Sequence, residues 1–364
     1  MSTLRNSVRL PSPFHMRHGG VLPQADIVYE TWGELLPAKD NVLLILTGLS
    51  PGAHAASSAE DPSPGWWDEM VGPGLAIDTE RFHVVCVNSL GSCHGSTGAA
   101  SVDPRTGRPY GMTFPVLGIE DIATAAREAL RALGITRLRA LVGPSLGGMS
   151  ALAYAILFPE EVGALVTISS ATRATPFAIA IRSLQREAIR SDPGWHGGNY
   201  HGAGPATGLR LARKLGLITY RSAKEWRERF GRERVDVREE KDGVFGVEFE
   251  VEAYLESHAR KFVGTFDANC YLYLSRSMDL FDVAEHGGTV EAGLGRIRAE
   301  STLVIGVETD FLFPLDQQEE IATILERQGR RVRFERLASV HGHDSFLVDM
   351  DRFCPVMGDF LKNV

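Results

Sequence analysis

Short apolar runs recur along the chain, and none shows the strict alternation of a strand with one wet face. They are "NVLLILTG" (41–48), "FHVVCVNS" (82–89), "LRALVGPS" (138–145), "GALVTISS" (163–170), "STLVIGVE" (301–308) and "VRFERLAS" (332–339). Runs of this kind read as strands buried on both faces. Between two of them, "GIEDIATAAREALRALGI" places Ile119, Ile122, Ala126, Leu130 and Leu133 at helical spacing, with Gly134 as a stop. The order strand, helix, strand predicts an α/β fold with a mostly parallel sheet and helices on its faces.

The rhythm breaks between about Ala171 and Arg298, where charge, aromatics and helix formers accumulate around the Gly-rich "DPGWHGGNYHGAGPATG". The strand pattern resumes at "STLVIGVETD", and the remaining segment is too short to fold alone. We therefore expect one core formed by residues 1–170 and 299–364, with 171–298 inserted as a helical lid.

Composition removes several function classes. A formal net charge of −8 argues against a nucleic-acid surface. Acids interleave the basic cluster "EWRERFGRERVDVREEK", which reads as a solvated helix face. The apolar runs fall far short of the roughly 18 residues of a membrane span, so no membrane partner is expected. Cys86, Cys93, Cys270 and Cys354 form no CxxC pair, which leaves neither metal-ligand spacing nor a disulfide framework. The N-terminus lacks the apolar stretch of a secretory signal, so a reducing, cytoplasmic setting is expected.

The chemistry centres on "LVGPSLGG". Gly143-x-Ser145-x-Gly147 follows a strand and precedes the helical pattern "LGGMSALAYAILFP", the context in which flanking glycines allow a tight turn that presents a serine hydroxyl above a sheet. A serine nucleophile needs a base, and the base an orienting carboxylate. Asp310 in "VIGVETDFLFP" ends a strand, and His343 in "SVHGHDSF" follows the last one. The order Ser145, Asp310, His343 is that of the α/β-hydrolase fold. Glu308 remains an alternative to Asp310, and His341 to His343. Backbone N–H groups of Leu146 and of Leu49, in "LTGLSPGAHA", are the expected oxyanion donors.

These residues, with "ADIVYETWG", "GWWDEMVGPGLAIDT", "DPGWHGGNY", "GLRLARKLGLITYRS", "KFVGTFDANCYLYL" and "GHDSF", resemble the homoserine and serine O-acyltransferases of the α/β-hydrolase superfamily. The resemblance implies acyl-CoA as co-substrate, no permanently bound cofactor, a hydroxy amino acid as acceptor and a homodimer. Carried onto matching positions, Ser145, Asp310 and His343 are the catalytic residues, and Arg213 with Asp344 clamps the amino acid. A guanidinium fork suits a carboxylate, and a carboxylate suits an ammonium.

Homoserine acetyltransferases commonly carry "TGDSHV", "GGSMGG" and "GCQGTTGP", where this chain reads "TGLSPGAHA", "GPSLGG" and "GSCHGSTGA". With "SPGAHA" and "GPSLGGMSALAYA" the sequence is most similar to the serine O-succinyltransferase branch, which implies L-serine, succinyl-CoA and cysteine synthesis. Arg186 in "LQREAI" is the candidate partner of the succinyl carboxylate, with Arg182 second.

Overall fold

The computed structural model describes residues 6–202, 204–236, 243 and 245–364. Its central sheet contains β1 (Asn6–Arg9), β2 (Asp26–Trp32), β3 (Val42–Leu46), β4 (His83–Val87), β5 (Leu138–Pro144), β6 (Val162–Ile168), β7 (Ser301–Val307) and β8 (Val332–Leu337). They lie in the order β1-β2-β4-β3-β5-β6-β7-β8. β2 runs antiparallel to both β1 and β4, and every other pairing is parallel.

The missing alternation in the central runs has a direct cause. Leu44, Val85, Leu141, Leu165 and Val304 enter one apolar layer, while Leu43, Ile45, Val142, Val166 and Ile305 enter another. Successive strand residues point to opposite faces, so a sheet covered on both sides needs apolar residues at every position. All the anticipated runs form strands, each ending before the final residues of its run, which leave the sheet to build loops.

The edges depart from the expectation. β8 is only half-buried along most of its length, and Arg333 pairs with Glu335 at 2.6 Å. β1 and β2 were not anticipated. β1 is largely exposed, and β2 mixes polar and apolar positions, as a strand near the rim does.

Helices α1 (Ile119–Ala132) and α2 (Leu146–Leu157) pack on the first layer. Ile119, Ile122, Ala126 and Leu130 of α1 are buried, and Gly134 closes the helix at φ +72°. Between β6 and β7 the chain forms α3 (Pro176–Arg190), α4 (Ala206–Tyr220), α5 (Ala223–Phe230), α6 (Glu250–Val263), α7 (Ala268–Leu280) and α8 (Val290–Leu294). The core then closes with α9 (Leu315–Arg327), α10 (Ser345–Val348) and α11 (Met350–Lys362).

α3 starts at Thr175, whose hydroxyl accepts from the Ala178 N–H at 3.2 Å, with Pro176 in the first turn. It meets α4 where the Gln185 amide donates to the Ala212 carbonyl at 3.0 Å. On the outer side of this pair Phe177, Leu184, Leu211 and Ile218 are exposed. The solvated-face expectation holds for Arg227, Glu228 and Arg229 of α5 but fails at Glu225, which is buried, and residues 237–241 of that cluster lie outside the described residues.

Small residues let α2 lie close to the sheet. A Cβ on Gly147 would stand 2.0 Å from the Leu46 carbonyl oxygen, and one on Gly148 would stand 2.5 Å from the Ser170 Cβ. We predict that Gly147→Ala lowers stability by about 3 kcal/mol, read as a reduced urea midpoint at unchanged m. Gly264→Ala, where no neighbour lies nearer than 3.8 Å, serves as the control and leaves the midpoint within error.

Candidate active site

Parallel strands deliver their C-terminal loops to one edge of the sheet, and three of those loops build the site. Ser145 lies between β5 and α2 at φ 55°, ψ −122°, a conformation that side-chain-bearing residues rarely adopt. A Cβ at Gly143 would stand 2.1 Å from the Gly147 carbonyl oxygen, so both glycines of the motif are required by close backbone approach. The Ser145 N–H donates to the Ile168 carbonyl at 2.9 Å, and its own carbonyl accepts from Gly148 at 2.9 Å and Met149 at 3.1 Å. The turn is thus fixed from both sides.

Asp310 follows β7. One of its oxygens accepts the Leu312 and Phe313 N–H groups at 3.0 and 2.9 Å, and the other accepts from His343 Nδ1 at 2.7 Å. With the proton held on Nδ1, His343 Nε2 accepts from the Ser145 hydroxyl at 2.8 Å. Phe313 stacks on the imidazole at 4.9 Å between centroids, and Phe346 meets it edge-on. All three polar residues are buried. Glu308 is exposed instead, and His341 turns to Glu225 at 3.3 Å, so neither alternative joins this chain of hydrogen bonds.

The loops are braced against each other. The Thr309 hydroxyl donates to the Ser339 carbonyl at 2.7 Å and accepts from the Gly342 N–H at 3.1 Å. Gly342, at φ +64°, would place a Cβ 2.9 Å from Tyr220 and Ser222 backbone atoms, and the Ser222 hydroxyl donates to the Val340 carbonyl. The His343 loop is therefore wedged under the α4–α5 turn.

A cavity of about 310 Å³ opens onto Ser145 and His343, lined among others by Leu49, Arg182, Tyr220, Tyr271, Phe313 and Asp344. Leu49 supplies the loop after β3, and Leu146 is the first residue of α2, where N–H groups lack intrahelical acceptors. Asp344 lines the cavity and pairs with Arg221 Nε at 3.2 Å. Arg213 lies behind the lining, with its guanidinium 4.6 Å from the Phe262 ring centroid and 5.8 Å from that of Tyr220. Its Nε is buried without a hydrogen-bond partner among the described residues.

The two α3 arginines separate. Arg182 lines this cavity, donates from Nε to Asp279 at 2.6 Å, and keeps a buried Nη2 without a hydrogen-bond partner among the described residues. Arg186, the first candidate for the acyl carboxylate, is instead drawn to Asp279 at 2.7 Å and Ser275 at 2.9 Å and faces a second cavity. Of the two, Arg182 is the one that lines the Ser145 cavity.

Charge distinguishes the two acids beside His343. Burial disfavours protonation of the imidazole, but the charge and hydrogen bond of Asp310, with the nearby charge of Asp344, outweigh it and hold its pKa above the ordinary value. Burial raises the Asp344 carboxyl above the usual carboxylate value, against the pull of Arg221, His343 and Arg213. A hydroxyl on a neutral imidazole, in a mostly apolar cavity with helix N–H groups nearby, is a set suited to nucleophilic attack on an acyl group.

Residues 41–349 match the alpha/beta hydrolase fold family. Over the full length of both chains, the sequence is 56% identical to a serine O-succinyltransferase of Litchfieldella anticariensis, across 365 aligned residues. The chain belongs to the homoserine and serine O-acyltransferase family of α/β hydrolases. A crystal structure of homoserine O-acetyltransferase from Bacillus anthracis superposes with a TM-score of 0.90 at 28% identity, covering 99% of this chain and 98% of that one. The crystal structure of esterase E22 matches with a TM-score of 0.88 at 29% identity, covering 98% and 99%.

As a member of this family the protein is an acyltransferase. Sequence reasoning missed Arg221, Glu225 and Asp279. Arg221, in the extended turn between α4 and α5, joins Glu225 of the first turn of α5 at 2.6 Å, a pairing set by that turn. Asp279 meets Arg182 and Arg186 across the fold and leaves no local signal.

A base must be neutral to accept a proton, so activity falls as pH drops through the raised pKa of His343. The acid limb of kcat/KM for the acyl donor is expected above the ordinary imidazole value of about 6.5. Asp344→Asn removes a charge that favours the imidazolium, so the limb moves to lower pH. A limb that stayed in place in a pH profile of that variant would remove Asp344 from the electrostatics of the base.

Proposed function

We propose that the protein transfers the succinyl group of succinyl-CoA to the side-chain hydroxyl of L-serine, forming O-succinyl-L-serine and free CoA for cysteine synthesis. The observation that carries the chemistry is the unbroken path of hydrogen bonds from Ser145 through His343 to Asp310, opening on a cavity of about 310 Å³. The choice of serine and succinyl is supported by the likeness to the serine O-succinyltransferase of Litchfieldella anticariensis and by the "SPGAHA" loop beside the cavity.

The mechanism is ping-pong. His343 Nε2 takes the Ser145 proton as Oγ attacks the thioester carbonyl, and the Leu49 and Leu146 N–H groups receive the developing oxyanion. The thioester C–S bond breaks, the proton passes from His343 to the CoA sulfur, and Ser145 carries the acyl group as an ester. His343 then deprotonates the acceptor hydroxyl, which attacks that ester and returns Ser145 to its free form. Asp310 keeps Nδ1 protonated and stabilises the imidazolium in both steps.

Arg213 and Asp344 hold the amino acid, the first by its carboxylate and the second by its ammonium. Arg182 receives the distal succinyl carboxylate, and Arg186 supports it through their common partner Asp279. Residues 171–298 act as a lid on the core of 1–170 and 299–364, with Arg182, Tyr220 and Tyr271 closing the cavity against water. The exposed apolar residues of α3 and α4 support a homodimer, which we place in the cytoplasm.

A second reading has its own support: the likeness to esterase E22 favours plain ester hydrolysis. Water and an amino acid compete for the same acyl-enzyme, so hydrolysis of a nitrophenyl ester fits both readings. CoA release that depends on an added amino acid fits transfer alone.

The test is CoA release with succinyl-CoA or acetyl-CoA against L-serine or L-homoserine, with products identified by mass. We expect preference for succinyl-CoA with L-serine, although one methylene in the acceptor is worth only about 1–3 kcal/mol of discrimination. Preference for homoserine would move the protein to the homoserine branch with the same chemistry. Ser145→Ala is expected to abolish transfer while the circular dichroism spectrum stays that of the native fold. Arg213→Ala is expected to raise KM for the amino acid more than it slows acylation of Ser145, and equal losses in both half-reactions would remove the clamp.

A further inference from the structure

A second cavity, of about 760 Å³, lies between α3 and α7 and against Trp195. Its charge runs against that of the whole chain, which is net −8. Arg186, Arg190 and Arg276 line it, with Glu187 as the acid among the lining residues. Arg190 and Arg276 are exposed and, among the described residues, have no ion-pair partner.

The aromatic wall is fixed in place. The Trp195 indole N–H donates to Asn269 Oδ1 at 3.0 Å, and the Arg190 guanidinium lies 5.7 Å from the ring centroid. Tyr273, also on the wall, is held by a hydroxyl bond to the Phe114 carbonyl at 2.6 Å. Guanidinium forks recognise phosphate, and an anchored indole face stacks a nucleobase. The combination selects a phosphorylated nucleotide.

The Ser145 cavity, at about 310 Å³, has room for an acyl group and an amino acid but not also for the nucleotide half of a CoA thioester. The two cavities are neighbours. Arg182 borders the first and Arg186 the second, one helical turn of about 5.4 Å apart on α3, and both hold the Asp279 carboxylate. A pantetheine arm is far longer than one turn of helix.

We propose that the α3–α7 cavity binds a phosphorylated adenine nucleotide, supplied by the nucleotide end of the acyl-CoA donor while its thioester lies at Ser145. The inference rests on acyl-CoA being the donor. Arg190 and Arg276 then serve as phosphate ligands and Trp195 as the platform for the base.

Two measurements on the full-length protein separate this site from the donor reading. The first is calorimetric binding of adenosine 3′,5′-bisphosphate to the unaltered protein and to Arg190→Ala/Arg276→Ala. The second compares KM for succinyl-CoA with KM for S-succinyl-N-acetylcysteamine, which has no nucleotide. We expect the bisphosphate to bind the unaltered protein, and the double variant to weaken it at least tenfold. The double variant should also narrow the KM advantage of succinyl-CoA over the short thioester at least tenfold. Should it fail to fold, Arg190→Gln alone must move both readouts in the same direction. Absence of bisphosphate binding by the unaltered protein, or equal binding by both proteins, would overturn the proposal. Bisphosphate binding without transfer from any acyl-CoA would keep the cavity as a nucleotide site, assign it to a free nucleotide, and refute the donor reading.

Discussion

The close seating of α2 on the parallel sheet is the constraint from which the rest of the structure follows. Gly147 and Gly148 leave no room for a Cβ between the helix and the backbone of β3 or the side chain of Ser170. The chain can leave β5 and enter α2 at that distance only through a sharp turn, and Ser145 occupies it with a positive φ. Strain of this kind persists only where packing on all sides over-determines it. Here the Ile168 carbonyl, the first turn of α2 and the two apolar layers supply that packing.

Three acids near the base are kept apart by their partners. Asp310 accepts from two backbone N–H groups and the imidazole, which keeps it oriented and committed to His343. Asp344 is buried beside the same ring but meets Arg221 on one oxygen, and its carboxyl is raised by burial. Glu225 ties Arg221 and His341 together from α5. A cavity of one size can therefore hold an anion for positioning the base and another facing the substrate, since neither is free to replace the other.

The central sheet was legible because coverage on both faces writes itself into consecutive residues such as "VLLIL", and the turn at Ser145 because its glycines flank it locally. Asp310 and His343 could be named from their positions after strands, but Glu308 and His341 could be set aside only in three dimensions, by exposure and by the pull of Glu225. The rim strands β1 and β2 escaped because a partly wet strand has no continuous apolar run. Arg182 and Arg186 look alike in "AIRSLQREAI"; what separates them is Asp279, 97 residues beyond Arg182 and invisible to any local pattern. Long-range ion pairs are set by the fold, and sequence spacing carries no trace of them.

The wedge of Gly342 beneath Tyr220 and Ser222 makes the helical segment and the general base one mechanical unit. Loosening of the α4–α5 turn removes the support of His343 while the sheet, with its separate apolar layers, remains intact. Heat or mild denaturant would then silence the enzyme through a local opening well short of global unfolding. Loss of turnover and loss of secondary structure become two separate transitions, and the first reports on the grip of that turn.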